Sequence, residues 1–221
     1  MLEKSLARST IALNSGAWAT ADEVTIPVGH LNVQMMTPQV MEDPGERISQ
    51  WWGITSSAVA LSEYLASIGD LSGQRVIELG CGLGLAGITA GMLGADVLFT
   101  DSVPEALEVA KVNTAINGLD PNRTEFRIVD WEQPTDLPLF SMIIGAEILY
   151  DYFVHGPLIS LVRAILAPRG TIVFADRKRL VVSRFLGRLA GFGFSCREIE
   201  TEAGAPGFPA GPVSVFILTR K

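Results

Sequence analysis

From residue 54 onward, the spacing of apolar residues alternates between helical and strand-like patterns. Ile54, Ala58, Leu61, Leu65 and Ile68 follow intervals of four and three residues, so they share one face of a predicted helix. Further helical patterns cover residues 84–93, 104–117, 156–167 and 179–190. Short apolar runs typical of buried strands occupy residues 75–79, 96–100, 126–129, 140–144, 171–175, 194–199 and 213–218.

This alternation of strands and helices predicts a mostly parallel sheet with helices on both faces. The last two strands differ, because the segment between them, AGAPGFPAGP at residues 203–212, carries no helical pattern. We therefore expect an antiparallel hairpin at the end of the sheet. The predicted fold class is α/β, with a doubly wound sheet of seven strands and one reversed strand in the C-terminal hairpin.

Polar residues, prolines and glycines indicate where the helices begin and end. Ser102 is predicted to cap the helix whose first turn contains Pro104, and Asn117-Gly118 to end it. Pro168 and Gly170 are predicted to stop the helix over residues 156–167.

The segment before residue 54 has a different pattern. Residues 24–28 and 31–35 read as two strands around Gly29-His30, which predicts an appended β-hairpin, and residues 37–50 read as a loop. The first 21 residues lack the uninterrupted apolar run of a signal peptide, so we expect a short helix there. We divide the chain into an N-terminal extension, 1–53, and a main domain, 54–221, forming one compact domain overall.

Composition narrows the possible partners. The 221 residues carry a net charge of −7, which disfavours a nucleic-acid partner, and no stretch reaches the roughly 20 apolar residues of a membrane span. The two cysteines, Cys81 and Cys196, are far apart, which fits a reducing, cytoplasmic compartment. Two histidines and these cysteines do not make a ligand set typical of zinc, so we predict no metal site.

One glycine-rich turn follows the first strand of the sheet, within VIELGCGLGLAG at residues 76–87. Gly82, Gly84 and Gly87 match the G-x-G-x-x-G pattern of dinucleotide sites. The strand ends at Gly80, however, which places Gly87 inside the next helix and makes the match incidental. Ligands bind beyond the carboxyl ends of such strands, so a ligand site is favoured over a purely structural turn.

Two acidic residues beside this turn indicate which cofactor it holds. Asp101, at the end of the second strand, suits the ribose hydroxyls of NAD and of S-adenosylmethionine alike. Glu78 discriminates between them, because a carboxylate about 4 Å from a pyrophosphate costs roughly 4 kcal/mol at an effective dielectric constant of about 20. The ammonium and sulfonium of S-adenosylmethionine would instead be attracted. We therefore predict S-adenosylmethionine as cofactor and disfavour a NAD-dependent oxidoreductase.

These residues resemble a known group of enzymes. VIELGCGLG is similar to motif I of the class I, seven-β-strand methyltransferases, and residues 51–65 resemble the tryptophan-plus-helix segment of the family 16 protein-lysine methyltransferases. Residues 100–117 share that family's paired asparagines. The likeness covers about residues 22–200 and is nearest to bacterial relatives of the electron-transfer-flavoprotein β-subunit lysine methyltransferase. It implies an enzyme that methylates a protein lysine. A small amine or pyridine acceptor, and an inactive cofactor-binding scaffold, stay open as alternatives.

The resemblance also assigns the cofactor site residue by residue. It gives the cofactor loop to Glu78, Gly80, Gly82 and Gly84, and ribose binding to Asp101. Asp130 would meet the adenine amino group and Trp131 would cover the ring, or this pair forms an ordinary turn with a core tryptophan. Trp52 would pack against the methionine part of the cofactor, or in the core.

The acceptor site is predicted at Glu147 and Tyr150, because E-I-L-Y fits the family's D/E-x-x-Y/F motif. This motif lacks the prolines of the D/N-P-P-Y/F motif in nucleic-acid amino-methyltransferases, which argues against base methylation. A lysine amine has a pKa of about 10.4, so only about one in 2,500 is neutral at pH 7. A carboxylate favours the charged form, so we expect Glu147 to orient the acceptor, and Tyr150 to line its channel.

Three further features have two readings each. His155 relays a proton or is structural. Residues 177–179, Arg-Lys-Arg, form a solvated helix start or contact an acidic partner protein. The 203–212 segment is expected to be a loop at the rim of the acceptor site.

Overall fold

The computed structural model describes residues 8–12, 18–38, 53–133, 136–177, 179–206 and 208–221. Its helices are α1 (Ser56–Ile68), α2 (Leu85–Met92), α3 (Pro104–Ile116), α4 (His155–Ile165) and α5 (Leu180–Gly191). Its strands are β1 (Arg8–Ala12), β2 (Trp18–Val28), β3 (Leu31–Pro38), β4 (Arg75–Leu79), β5 (Asp96–Asp101), β6 (Thr124–Ile128), β7 (Phe140–Ala146), β8 (Leu166–Asp176), β9 (Phe194–Ala205) and β10 (Phe208–Arg220). None of the described helices is long and apolar enough to cross a bilayer.

The main sheet has seven strands in the order β6-β5-β4-β7-β8-β10-β9. The pairs from β6 to β8 are parallel, whereas β10 runs antiparallel to both β8 and β9. The predicted fold class is therefore confirmed. Strand order changes direction between β4 and β7, and a crevice forms at such a switch point beyond the carboxyl ends of the strands.

Helices cover both faces of this sheet, so its central strands are apolar on both sides. Neighbouring residues of β4 belong to different core clusters, with Val76 in one and Ile77 in the other. Helix α1 begins at an N-cap, Thr55, whose hydroxyl accepts a hydrogen bond from the Ala58 amide at 3.0 Å. The hydrophobic core is thus divided into two layers by the sheet.

The predicted N-terminal hairpin is confirmed as β2 and β3, which pair from Val28 and Leu31 outward. The short helix predicted before it is wrong where the chain is described, because β1 pairs antiparallel with β2 and makes a three-stranded sheet. Thr10 and Ile11 in β1 are β-branched, which favours a strand once a partner strand is present. The loop predicted at 37–50 lies mostly outside the described residues, and residues 37 and 38 still belong to β3.

The predicted loop at 203–212 is also wrong over most of its length. Strands β9 and β10 continue to Ala205 and from Phe208, with an irregularity in their register between Phe208 and Gly211. The glycines and prolines of this segment favour a loop. Cross-strand hydrogen bonds satisfy its backbone groups and outweigh that local preference.

Two predicted helix boundaries differ from those in the structure. Helix α4 ends at Ile165, before Pro168, because Leu166 already pairs with Phe140. Val103, not Ser102, is the N-cap of α3. The Val103 amide donates a hydrogen bond to the Asp101 carboxylate at 3.0 Å.

Candidate active site

A cavity of about 790 Å³ opens at the carboxyl ends of the central strands. Its lining includes nine of the ten residues predicted for the cofactor and acceptor sites: Glu78, Gly80, Gly82, Gly84, Asp101, Asp130, Trp131, Glu147 and Tyr150. The tenth, Trp52, lies outside the described residues. The structure therefore brings residues from four separate strand ends into one concave site of the size typical for small-molecule ligands.

The turn after β4 has an unusual backbone. Gly80, Gly82 and Gly84 all have positive φ values, of 62°, 50° and 86°. A side chain at Gly80 would stand 3.0 Å from the Cγ2 atom of Ile148 and 3.6 Å from the Trp131 ring. Only glycine combines this backbone with such a close approach, so the turn holds the chain directly against the cavity wall.

Glu78 lies at the base of the turn and is 3% exposed. Its Oε2 atom accepts a hydrogen bond from the Gly87 amide at 3.0 Å, in the first turn of α2. Burial raises the pKa of the Glu78 carboxyl to about 8, although this hydrogen bond acts in the opposite direction. The helix end that would otherwise attract an anion is therefore already bonded by an acidic side chain.

Gly87 lies inside α2, as predicted, but the absence of a side chain there is a packing requirement. A Cβ atom at Gly87 would come within 2.4 Å of the Phe99 ring and 2.5 Å of the Glu78 Oε2 atom. The close packing of helix and strand is the role that the third glycine has in dinucleotide sites. The G-x-G-x-x-G match is thus no guide to the ligand, but it is also not a coincidence.

Asp101 joins the glycine turn to the end of β5. Its Oδ2 atom accepts from the Gly82 amide at 2.9 Å and its Oδ1 atom accepts from the Val103 amide at 3.0 Å. Burial raises the pKa of this carboxyl, while backbone hydrogen bonds from Gly82, Val103 and Ser102 lower it. Each carboxylate oxygen has a further acceptor position, so Asp101 can hold the glycine turn and still receive hydroxyl groups.

Asp130 and Trp131 were predicted either to meet the adenine or to form an ordinary turn with a core tryptophan, and the structure has features of both. The Asp130 carboxylate is exposed and closes its own turn, accepting from the Glu132 amide at 2.9 Å and the Gln133 side chain at 3.1 Å. Trp131 is half-buried, packs against the apolar core and approaches Gly80. Its ring is therefore both a core contact and a wall of the cavity.

Glu147 directly follows β7 and has a left-handed backbone conformation, with φ of 56°. Such a conformation is unfavourable for a residue with a side chain and tends to occur at functional sites. The Glu147 Oε1 atom accepts from the Ser57 hydroxyl at 2.8 Å and lies 3.2 Å from the Nε atom of Arg177. Its Oε2 atom accepts from Arg179. The predicted acceptor residue is thus held by a hydroxyl and two guanidinium groups.

Asp176 fixes the segment that follows Glu147. This fully buried carboxylate accepts from the Leu149 amide at 3.1 Å through its Oδ2 atom. Its Oδ1 atom lies 3.1 Å from Arg179, without the alignment of a hydrogen bond. Burial, and then the charge of Glu147, raise the pKa of Asp176 to about 6, while Arg179 lowers it.

Tyr150 and His155 lie on different sides of the same segment. Tyr150 is 49% exposed and lines the cavity, and burial raises the pKa of its hydroxyl. His155 is fully buried, bonds the Leu149 carbonyl at 3.1 Å and packs against the Phe185 ring. The Nε2 atom of His155 must donate to that carbonyl, and these contacts favour the structural reading of His155 over the proton relay.

Sequence reasoning missed the three partners of Glu147 and also Asp176, which lies against one of them, Arg179. Ser57 and Asp176 were given no role, and Arg177 and Arg179 were assigned to solvent or to an acidic partner. Asp176 had a local signal, because it follows a buried strand at the same sheet edge as Asp101. The arginines had none, because they lie about thirty residues from Glu147 along the chain.

Comparisons with known proteins show which family the sequence resembles. A family model described as "Lysine methyltransferase" matches residues 37–191. The chain is 31% identical over 143 residues to EEF1A lysine methyltransferase 3 of Mus musculus, which covers 63% of this chain and 61% of that protein. It is 36% identical over 122 residues to ribosomal protein L11 methyltransferase of Ectopseudomonas mendocina, which covers 55% of this chain and 37% of that protein. The chain thus spans less than two thirds of each relative.

Solved structures show the same fold. The ribosomal protein L11 methylase from Lactobacillus delbrueckii subsp. bulgaricus aligns with a TM-score of 0.61 at 22% identity, covering 76% of this chain and 80% of that one. The Pyrococcus abyssi tRNA (uracil-54, C5)-methyltransferase, in complex with S-adenosyl-L-homocysteine, aligns with a TM-score of 0.61 at 16% identity, covering 88% and 44%. These likenesses concern the fold alone. Because the family match extends over most of the sequence, the chain belongs to the lysine methyltransferase family.

Proposed function

We propose that the protein is an S-adenosylmethionine-dependent N-methyltransferase that transfers a methyl group to a lysine side chain of another protein. The observation that carries this proposal is the convergence of the glycine turn, two buried acids and Glu147 on one cavity. Membership of the lysine methyltransferase family supports the same activity. The names of the two relatives indicate protein acceptors.

The side chains of the cavity fit S-adenosylmethionine better than a dinucleotide. Glu78 already accepts the Gly87 amide, so the start of α2 offers less to a pyrophosphate. Glu78 and Asp101 are both buried acids, and a cationic ligand with hydroxyl groups would compensate them. A bound cation would also favour the ionised form of Glu78.

Each part of the cofactor has a group to meet it. Asp101 would accept ribose hydroxyls and Trp131 would cover the adenine ring, with Asp130 near the adenine amino group. Glu78 and the glycine turn would border the charged methionine portion. When bound, the cofactor supplies an activated methyl group, so the protein has mainly to align the acceptor and exclude water.

Glu147 and Tyr150 would receive the acceptor. The Glu147 carboxylate would accept one N–H of the lysine amine and so direct its lone pair. Tyr150 would line the channel with its ring, which also attracts a cationic lysine to the cavity mouth. We give neither residue the role of removing the proton.

The first test uses methyl-labelled S-adenosylmethionine and a cell lysate split by a small-pore filter. Each fraction is incubated with the wild-type protein, with Glu147→Ala, and with a control, Glu125→Ala, which removes an exposed acid on β6. We expect label in a discrete protein band, recovered as methyl-lysine, with wild type and control only.

Other outcomes would redirect the proposal. Label confined to the small-molecule fraction would support the small-amine enzyme instead. A protein that is stabilised by S-adenosylhomocysteine but labels nothing would be a cofactor-binding scaffold. A label as strong with Glu147→Ala as with wild type would remove Glu147 from the acceptor site.

A further inference from the structure

We propose that Arg177 and Arg179 are positioning residues that offset the negative charge of Glu147. A neutral lysine amine can then bind the Glu147 carboxylate. The inference rests on the proposed function and explains how an acidic acceptor residue is compatible with it. It gives a role to two side chains that neither the motif nor the family match assigns.

An isolated glutamate at this position would oppose the reaction. A lysine amine must lose a proton before its nitrogen has a lone pair for the methyl carbon. A nearby negative charge stabilises the ammonium and raises the pKa of the amine above its usual value of about 10.4. A glutamate without counter-charges would therefore hold the acceptor in its unreactive form.

The contacts of Glu147 leave room for one further donor. Its carboxylate has about four acceptor positions. Among the described residues, Ser57 and Arg177 reach the Oε1 atom and Arg179 reaches the Oε2 atom. The remaining position, on Oε2, can accept a single N–H. The clamp therefore fixes the direction of the carboxylate while leaving it able to orient an amine.

The same contacts balance the charge. Arg177 and Arg179 bring two positive charges, and Glu147 and Asp176 bring two negative charges once Asp176 is ionised. Other ionisable side chains that line the cavity are Glu78, Asp101, Asp130, Glu132 and Tyr150. Glu147 and its three charged neighbours would thus offer the acceptor amine a hydrogen-bond acceptor with little net charge, whereas the other acids border the proposed cofactor site.

Partial burial makes this balance effective. The Glu147 side chain is 17% exposed and that of Arg179 is 35% exposed, so water screens their interaction less than it screens a surface pair. Arg177 is 59% exposed, so its charge is screened more and it contributes less to the balance. The left-handed backbone of Glu147 is unfavourable for a residue with a side chain, and the clamp contributes to holding it. The arrangement is therefore a built site and not a chance surface contact.

The transfer then balances in a simple way. The ammonium gives its proton to solvent before attack. The nitrogen lone pair forms the new N–C bond as the C–S bond of S-adenosylmethionine breaks, and that electron pair stays on sulfur. Arg177 and Arg179 touch none of the reacting atoms and act only through Glu147.

The test is the pH dependence of methylation, with the lysate protein fraction as acceptor. We would compare the wild type with Arg177→Gln, Arg179→Gln and the charge-preserving Arg179→Lys. Arg123→Gln is the matched control, because it removes one positive charge where Arg123 pairs with Asp96, at the opposite edge of the sheet. Thermal stabilisation by S-adenosylhomocysteine would verify that each variant is folded and binds cofactor.

In Arg179→Gln we expect the apparent pKa of the rate to rise by roughly one pH unit. The rate of this variant at pH 7 should then fall about tenfold and recover at alkaline pH. Arg177→Gln should shift the profile in the same direction by a smaller amount, because Arg177 is more exposed to water. Arg179→Lys and Arg123→Gln should keep the wild-type profile.

Two results would overturn this inference while leaving the proposed function intact. One is a rate reduced by the same factor at every pH, which would mean that the arginines only orient Glu147. The other is an unchanged profile. If the wild type binds S-adenosylhomocysteine and labels no lysine at all, the proposed function fails and this inference fails with it.

Discussion

Glu78 is subject to two opposing influences. Burial favours the neutral carboxylic acid, whereas the Gly87 amide at the start of α2 favours the carboxylate. Burial is the stronger influence, with a resulting pKa of about 8. The group is thus largely protonated at neutral pH until a cation lies beside it, which makes Glu78 sensitive to the charge of the ligand.

The stability of the protein should therefore depend on pH through Glu78. The folded state keeps the Glu78 proton up to a pKa of about 8, whereas the unfolded chain loses it near 4.5. The free energy of unfolding must then fall as the pH rises between these values. At about 1.4 kcal/mol per unit, the fall from pH 5 to pH 8 is at most roughly 4 kcal/mol.

Glu78→Gln removes this titration and keeps an oxygen acceptor for Gly87. We expect its free energy of unfolding, measured with denaturant at several pH values, to decline less steeply than that of the wild type. Asp101 and Asp176 also have raised pKa values, but they are common to both proteins. Parallel curves would show that Glu78 is already ionised in the folded state.

Two glycines in helices should respond to the same substitution in opposite ways. Alanine exceeds glycine in helix propensity by about 1 kcal/mol. At Gly187, exposed in α5, a Cβ atom would meet nothing within 4 Å, so Gly187→Ala should stabilise the protein by about that amount. At Gly87 the collisions with Phe99 and Glu78 outweigh propensity, and Gly87→Ala should destabilise it by roughly 1–3 kcal/mol. Thermal melts of both variants would check the contrast.

At the scale of elements, Asn113 of α3 and Asn117, which caps the end of that helix, attach the N-terminal sheet to the main domain. Asn113 accepts from the Met36 amide at 2.7 Å and donates to the Met36 carbonyl at 3.3 Å. Asn117 bonds both backbone groups of Gln34 in the same way, at 2.9 and 2.7 Å. The two side-chain amides thus take the place of a neighbouring strand along β3.

Only one of these asparagines also reaches the glycine turn. The Asn113 amide donates to the Leu83 carbonyl at 3.0 Å, so β3, α3 and the glycine turn meet at one buried side chain. Losing it would leave buried backbone groups unpaired, at about 1–3 kcal/mol each. The turn that borders the cavity would then be less well fixed.

We therefore expect Asn113→Ala and Asn117→Ala to differ in cofactor binding. Both should lower the melting temperature, because both detach β3. Only Asn113→Ala should also weaken the binding of S-adenosylhomocysteine, by roughly tenfold, as measured by calorimetry. Equal affinities in the two variants would mean that the Leu83 contact does not hold the turn.

For the whole molecule, ligand binding should separate the two candidate cofactors. A ligand at about 100 times its dissociation constant stabilises the folded state by about 2.7 kcal/mol. For a protein of this size, S-adenosylhomocysteine should then raise the melting temperature by roughly 5–10 °C. NAD at the same concentration should give no shift. Stabilisation by NAD alone would show that Glu78 does not select against a pyrophosphate.

The order of elements could be predicted because hydrophobic periodicity is a local property. The strand over residues 75–79 was placed without error, and most helices of the main domain within two residues. Strand β1 and the extension of the predicted C-terminal hairpin into residues 203–212 were missed, because their backbone groups are satisfied by a partner strand and not by local sequence. Glycine and proline signals at residues 203–212 were misleading for the same reason.

The sequence by itself determined the fold class, the glycine turn and the positions of Glu78, Asp101 and Glu147, because acids that follow apolar strands must meet at one edge of a parallel sheet. Only the tertiary structure decided which groups those acids contact. It placed Arg177 and Arg179 against Glu147, and bonded Glu78 to the start of α2. These contacts join residues that are distant along the chain, so they depend on strand order and side-chain packing, which no local pattern records.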